Sequence, residues 1–352
     1  MSTENIRVGI LGATGYTGGI LAAILSRHPH VEIAAFGSQS YAGKRYDTQF
    51  RNLYGMEACG GECVAEDPAA IAREVDVLFT ATPQGMASSF VTEDILEHTK
   101  VIDLSADFRF KDVAVYEKWY GLTHGAPALL QEAVYGLPEL YREKIKDARL
   151  VANPGCYTTC SILTAYPLVK EGLIDHHTLI VDALSGVSGA GRGAKVDNLF
   201  CEVNESAKPY GIATHRHTPE IEEHLSSAAG EAVVINFTPH LIPMNRGILA
   251  TIYATLSEGV TGERVRGVYE AYYRDEPFVR LLEENMTADT KWVEGSNYID
   301  IAFTIDHRTN RIVMNAALDN LMKGAASQAV QNMNIMYGFE ETCGLNFIPM
   351  FP

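Results

Sequence analysis

The sequence predicts an α/β protein in two parts, an N-terminal parallel-sheet domain and an α+β domain after it. Three observations carry that expectation. From residue 6 an apolar run, a glycine-rich turn, a helix-forming stretch and a second apolar run follow one another. A strand-rich middle section begins after residue 177, and the chain's 352 residues exceed what one core usually supports.

Ile6 to Leu11 is a nearly continuous apolar run, as in a strand buried on both faces. Gly12-Ala13-Thr14-Gly15-Tyr16-Thr17-Gly18 follows, then a helix-forming stretch from Gly19 to Leu25, a break near His28-Pro29 and a second strand from Val31 to Phe36. This is the order of a Rossmann-type dinucleotide site. Its glycines let the turn close and let a pyrophosphate reach the backbone at a helix N-terminus. The spacing is GxxGxxG rather than the stricter GxGxxG, so the context carries the reading. Gly12, Thr14, Gly15, Tyr16, Thr17 and Gly18 are the candidate cofactor contacts. No acidic residue closes the second strand to meet a ribose 2′-hydroxyl. Gly37-Ser38-Gln39-Ser40 stands there, with Lys44 and Arg45 beyond, and offers hydroxyls from Ser38 and Ser40 and cations to a 2′-phosphate. The expected cofactor is therefore NADP(H).

Val101 to Asp103 reads as a strand running into the polar loop Leu104-Ser105-Ala106-Asp107-Phe108-Arg109, with Arg109 a candidate anion clamp or the partner of a local carboxylate. In Asn153-Pro154-Gly155-Cys156-Tyr157 a thiol stands on a Pro-Gly turn where a helix can begin. Backbone N–H groups and the helix dipole there favour the thiolate, which suits acyl transfer through a thioester. The third polar cluster is His215-Arg216-His217-Thr218-Pro219-Glu220-Ile221. Read as extended chain, it puts the two imidazoles on one face, with Thr218 as N-cap, Pro219 in the first helical position and Glu220 near enough to orient a ring. General acid/base work, a metal pair and plain structural histidines all fit. No further ligand cluster accompanies the pair, and the single C-x₃-C of Cys59 and Cys63 lacks a second pair at zinc spacing, so no metal is expected.

Thr178 to Leu184, Val233 to Phe237, Gly247 to Thr255 and Tyr298 to Ile305 read as strands of a half-buried sheet, and Leu321 to Met333 as a small-residue helix. A formal charge of −16, from 28 basic and 44 acidic residues, argues against nucleic acid and anionic membrane as partners. An anionic substrate must then meet local cations such as Arg109, Arg192, Arg216, Lys195 and Arg246. Six cysteines without framework spacing indicate thiols in a reducing compartment. The first residues carry no basic stretch and apolar core of a secretion signal, and no apolar run is long enough to span a membrane. The domain change is expected around Leu150-Val151-Ala152.

Taken together, the segments Gly12–Gly18, Asp103–Arg109, Asn153–Tyr157, Ser185–Arg192, His215–Ile221, Leu241–Gly247 and Asp319–Ala325 resemble the N-acetyl-γ-glutamyl-phosphate reductases of arginine biosynthesis, collinearly over nearly the whole chain. The resemblance implies a catalytic domain of the glyceraldehyde-3-phosphate dehydrogenase-like kind. It implies a nucleotide domain over 1–152, a catalytic and oligomerisation domain over 153–318, and a C-terminal segment, 319–352, that completes the first. It further implies NADPH-dependent reduction of an acyl phosphate to an aldehyde in the cytoplasm by a homo-oligomer, dimer or tetramer. Cys156 would be the nucleophile, with His215, His217 and Glu220 in proton transfer; which histidine acts is open. Arg109, Arg192 and Arg216 would hold the substrate, and Pro83, Ser185, Gly186, Gly189 and Asn320 would add to the cofactor site. Two departures stand out: Thr158 where the family often has Pro, and Gln84 where it often has His. An N-acetyl-aminoadipyl-phosphate reductase or an aspartate-semialdehyde dehydrogenase would share the thiol chemistry. A nucleotide-sensing regulator would need no nucleophile.

Overall fold

The computed structural model describes residues 5–350. The chain forms two compact units. One runs to Pro154 and takes in Ala325–Asn346; the other comprises Gly155–Gly324 and the residues from Phe347.

The first unit is built on a parallel sheet of β1 (Ile6–Leu11), β2 (Val31–Gly37), β3 (Cys63–Val64), β4 (Val77–Thr80), β5 (Lys100–Asp103), β6 (Val134–Tyr135) and β7 (Leu150–Ala152). The strand order among the described residues is β3-β2-β1-β4-β5-β7-β6. Val8, Ile10, Val77, Phe79, Val101, Ile102 and Val151 are fully buried, which is why these strands read as continuous apolar runs. The order reverses between β1 and β4, so the crevice beyond their carboxyl ends is the ligand position of such sheets. The turn after β1 lies there. Helix Ala326–Met336 belongs to this unit and packs on helix Tyr16–Leu25. It is buried on every side, and its amides serve neighbouring backbone and side chains: Gln328 and Asn332 both donate to the Gly136 carbonyl, and Asn334 meets the His28 ring at 3.0 Å.

The second unit carries a mixed sheet of β8 (Ile174–Ser185), β9 (Lys208–Pro209), β10 (Asn236–Leu241), β11 (Ile248–Leu256), β12 (Val279–Leu281), β13 (Ile299–Asp306) and β14 (Arg311–Leu318), in the order β12-β13-β14-β11-β8-β10-β9. Along β11, buried Ile248, Ala250, Ile252 and Ala254 alternate with half-buried Leu249, Thr251, Tyr253 and Thr255. One face is thus covered, by helix Cys156–Lys170 against β8, β11 and β14. The opposite face stays partly open.

Two sequence-based expectations change here. Val233 to Ile235 do not join a strand; their backbone N–H groups at 233 and 235 bond to the Ser226 hydroxyl and the Glu222 carboxylate, and β10 starts at Asn236. The C-terminal helix starts at Ala326 rather than Leu321. The buried Asp319 carboxylate accepts from the N–H groups of Leu321, Met322 and Gly295, which bends residues 319–324 into turns that a periodicity argument reads as helix.

Candidate active site

In the first unit, the glycine turn is shaped for a backbone-bound anion. Gly12 has φ +70°, and a Cβ there would lie 2.2 Å from the Ala81 carbonyl oxygen. A Cβ on Gly18 would lie 2.4 Å from the Gly12 carbonyl oxygen, so the first turn of helix Tyr16–Leu25 closes on the loop only with glycine there. Gly15 is the N-cap of that helix and offers no side-chain cap, and its first turn holds no acidic residue. Helix N-terminal N–H groups in that setting suit a pyrophosphate. Thr14 and Ser38 bond to each other, 2.8 Å between hydroxyl oxygens, and Ser38 is only 2% exposed. The Ser38 hydroxyl ties the end of β2 to the glycine turn, whereas Ser40 is exposed. Arg45 is held by Asp47 at 2.7 Å, and Lys44 lies over the Tyr41 ring.

Pro83 is exposed on a loop that the buried carboxylate of Asp107 organises. Asp107 accepts from the N–H groups of Gly85 and Ser88 and from the Tyr116 hydroxyl. Arg109 is itself buried, donating from Nε to the Asn153 carbonyl at 2.8 Å and from Nη2 to that of Leu104. Those bonds fix the backbone leading to Pro154 and point the guanidinium at protein rather than at solvent.

In the second unit, Cys156 is the first residue of helix Cys156–Lys170, one place after its N-cap Gly155, and is partly exposed. Glycine at 324 is required by the same packing: a Cβ there would stand 2.7 Å from that of Cys156. Asn320, one turn earlier, accepts from the Gly247 N–H at 2.8 Å and donates to the Ser188 hydroxyl at 3.0 Å. It thereby anchors the loop of Ser185, Gly186 and Gly189. A Cβ on Gly186 would meet the Arg246 nitrogen at 2.7 Å, so this glycine answers to packing against its own unit. Arg192 and Arg216 are exposed.

The histidine segment departs from the extended reading. Residues 211–217 form turns, His217 rather than Thr218 is the N-cap of helix Thr218–Ala229, and Pro219 lies in the first turn. The rings still meet, 4.8 Å between centroids, because the Nδ1 atom of His215 accepts the His217 backbone N–H at 3.1 Å. Tyr157, Tyr210 and Phe237 enclose His215 edge to face. Burial and the neighbouring Arg216 charge push the His215 pKa down to about 4. With Nδ1 an acceptor, a neutral His215 carries its proton on Nε2.

Glu220 is fully buried and its Oε1 accepts from the Gly155 N–H at 3.0 Å and from the Thr158 hydroxyl at 2.9 Å. These two bonds tie the carboxylate to the N-terminus of the cysteine helix. Sequence reasoning missed that bracing, and it missed Tyr210, whose hydroxyl donates to Tyr157 at 3.0 Å and whose pKa is raised to about 12 by burial. Thr158, noted only as a departure, was the available signal. One turn below Cys156, the Cys160 thiol is fully buried against the Ala316 carbonyl, and burial pushes its pKa up. Of the two thiols, only that of Cys156 is partly exposed.

Comparison with known proteins now bears on this geometry. Residues 7–148 match the family described as semialdehyde dehydrogenase, NAD binding domain, and residues 156–320 match the semialdehyde dehydrogenase dimerisation domain. Similar curated relatives are the N-acetyl-gamma-glutamyl-phosphate reductases of Lachnoclostridium phytofermentans, 59% identical over 99% of this chain and 100% of the relative, and of Campylobacter jejuni, 54% identical over 97% and 98%. Among solved structures, aspartate semialdehyde dehydrogenase II from Vibrio cholerae has a TM-score of 0.71 at 16% identity, covering 95% of this chain and 99% of that one. The Candida albicans aspartate semialdehyde dehydrogenase with NADP has a TM-score of 0.69, also at 16% identity, with the same coverage. These two likenesses establish the two-part α/β fold. The identity to the curated relatives goes further: the chain belongs to the N-acetyl-gamma-glutamyl-phosphate reductase family, built from the two semialdehyde dehydrogenase domains.

Proposed function

We propose that the protein reduces N-acetyl-γ-glutamyl phosphate to N-acetyl-glutamate 5-semialdehyde with NADPH, releasing phosphate. The observation that carries this is the partly exposed Cys156 at a helix N-terminus, with the histidine pair and its aromatic wall in the same unit. The Cys156 sulfur attacks the acyl carbon, the bond from that carbon to the phosphate oxygen breaks, and a thioester forms. NADPH, when bound, supplies the hydride that reduces the thioester carbon. The C–S bond then breaks, the thiolate leaves and the aldehyde is released. The glycine cradle at Gly12, Gly15 and Gly18 fits a dinucleotide pyrophosphate, with Thr14, Tyr16 and Thr17 on the same turn and Ser40 facing the 2′-phosphate.

His217 is the residue we assign to take the thiol proton and to return a proton to the developing alkoxide. His215 has its Nδ1 committed to the His217 N–H and a pKa about 4, so near neutrality it serves as a neutral Nε2–H donor rather than as a base. Glu220 acts as a positioning residue for Gly155 and Thr158. Arg192 and Arg216 are the exposed cations assigned to the substrate's phosphate and carboxylate. The half-open sheet face of Thr251, Tyr253 and Val313 is the surface on which copies of the chain would pair, giving a cytoplasmic homo-oligomer.

NADPH oxidation with N-acetyl-γ-glutamyl phosphate, set against the one-carbon-longer N-acetyl-aminoadipyl phosphate and β-aspartyl phosphate, tests the assignment. Turnover at least about tenfold higher in kcat/KM with the first is expected. Preference for either competitor would move the chain to a different substrate, and NADPH binding without turnover on any of the three would make it a nucleotide-binding regulator.

A further inference from the structure

We propose that this protein carries a divalent-cation site formed by His176, His177 and Glu231, suited to Zn²⁺. In a regular strand two neighbouring residues point to opposite faces. Here they do not. The ladder between β8 and β11 is regular from Ser185 back to Ile180, opposite Tyr253, and resumes only at Asp175, opposite Thr255. The intervening residues of β8 therefore bulge out of register, and bulges re-aim side chains. The bulge is bonded in place: Thr178 Oγ1 accepts the Thr255 N–H at 2.8 Å and donates to the Asp175 carbonyl at 2.7 Å, and the His177 N–H donates to the Asp175 carboxylate at 3.0 Å. As a result the rings of His176 and His177 lie together, 4.2 Å between centroids and tilted by 47°.

The third member comes from the end of another element. Helix Thr218–Ala229 is closed by Gly230 in the left-handed conformation, and Glu231 follows at once. Its Oε1 stands 3.2 Å from His176 Nε2. That nitrogen is shut off from solvent yet makes no hydrogen bond, so it has lost water without gaining a directed partner. One ligand atom from each of the three residues lies within 4.8 Å of the others, the one such triad among the described residues. Bonds of 2.0–2.2 Å to a tetrahedral zinc would place its ligands about 3.3 Å apart. Closing that gap takes rotation of the His177 and Glu231 side chains, both exposed. Two imidazoles and one carboxylate select zinc or a neighbouring late transition ion over Mg²⁺ and Ca²⁺, which prefer oxygen shells. The fourth position would hold water.

The site sits away from the chemistry in sequence but not in architecture. It joins the start of β8 to the C-terminal end of the helix whose opposite end carries His217 and Glu220. A cation there also meets the negative end of that helix's dipole. The expected role is to brace the helix, and the proposal does not depend on which acyl phosphate is reduced.

The test uses the chelator-treated full chain carrying Cys156→Ser, so that the site thiol does not bind the metal. Titration with ZnCl₂ by calorimetry should show one bound equivalent and a rise in Tm, with MgCl₂ giving neither. Adding His177→Ala, or separately Glu231→Gln, should weaken zinc binding by about tenfold or more and abolish the rise in Tm. Those two variants stand on exposed residues, so either one remains informative if the other fails to fold. In the Cys156 parent, His177→Ala should leave turnover unchanged in metal-free buffer. No bound equivalent, or undiminished zinc affinity in both variants, would overturn the proposal.

Discussion

Among the described residues, two α-helix N-termini are capped by glycine after a strand, and their surroundings differ. Gly15, at the head of helix Tyr16–Leu25, and Gly155, at the head of helix Cys156–Lys170, have nearly the same extended backbone, φ −76° and −72°. At the first, the turn is tight enough to exclude Cβ atoms and the helix has no acidic first turn, which suits an anion that arrives from solution. At the second, a buried protein carboxylate, Glu220, already occupies the Gly155 N–H. On the function proposed above, the same dipole would be offered to a diphosphate in one unit and shared between a carboxylate and a thiolate in the other. A carboxylate also stands at the glycine turn, where Glu66 accepts from the Gly12 N–H at 2.8 Å, but it leaves the Gly15 end of the helix to the ligand proposed there.

The sharpest break between the two is chemical. Cys156→Ser should lower aldehyde formation by about 10³-fold or more while NADPH affinity, followed by fluorescence titration, changes less than about twofold. A parallel loss of NADPH binding would mean that the two ends are not separable functions.

Next in size is the histidine pair. His217→Asn should lower kcat by roughly 10²–10⁴-fold and flatten the pH–rate profile, whereas His215→Asn should act mainly on KM. If only the His215 variant loses kcat, the roles are reversed. His215 also predicts a stability effect with a definite sign. Its folded pKa of about 4 lies below the ordinary 6.5, so the unfolded chain binds the extra proton between those values. Stability should fall as pH drops from 6.5 toward 4, and His215→Asn should make that part of the denaturation profile shallower. An unchanged slope would show that the ring is not held neutral.

The glycine end has its own variant. Gly12→Ala puts a Cβ 2.2 Å from the Ala81 carbonyl oxygen at a φ of +70° and should weaken NADPH by about tenfold or more. Alkylation of Cys156 by iodoacetamide should proceed at the parent rate. A slowed thiol reaction would tie the two ends together.

The sequence made the backbone-determined parts legible and the side-chain bracing much less so. The strand–turn–helix at Gly12, the thiol at a helix start and the alternating strands of the second sheet each rest on local periods or turn residues, and the structure shows all three. Ser38 was read as a phosphate contact because its position after β2 is right. Its hydroxyl also spans 24 residues to Thr14, a pairing that no local pattern announces. The bonds of Asp107, Arg109 and Glu220 were no more legible: each buried charge bonds backbone groups that lie 19, 44 and 65 residues away in the chain. The segment 319–325 misled because its apolar spacing is helical while one carboxylate, Asp319, takes the N–H groups that would have started the helix.

The smallest expected effect bears most directly on what tunes the cysteine end. Glu220→Gln preserves shape and can still accept the Gly155 N–H, but it removes a negative charge from beside the N-terminus that stabilises the Cys156 thiolate. The acid limb of the kcat/KM profile, and the pH dependence of Cys156 alkylation, should both move to lower pH, with a change in kcat at neutral pH of only a few fold. Glu220→Ala is a different experiment, since it leaves the Gly155 N–H and the Thr158 hydroxyl without that acceptor and should cost about 1–3 kcal/mol of stability. Thr158 separates charge from bracing. Thr158→Val removes a hydroxyl that bonds both Glu220 and the Gly155 carbonyl, and should lower Tm without shifting the acid limb. Thr158→Pro stands in the first helical turn where a missing N–H is tolerated, and should keep most of the activity. An acid limb that stays put in Glu220→Gln but moves in Thr158→Val would show that geometry rather than the carboxylate's charge sets the reactivity of Cys156.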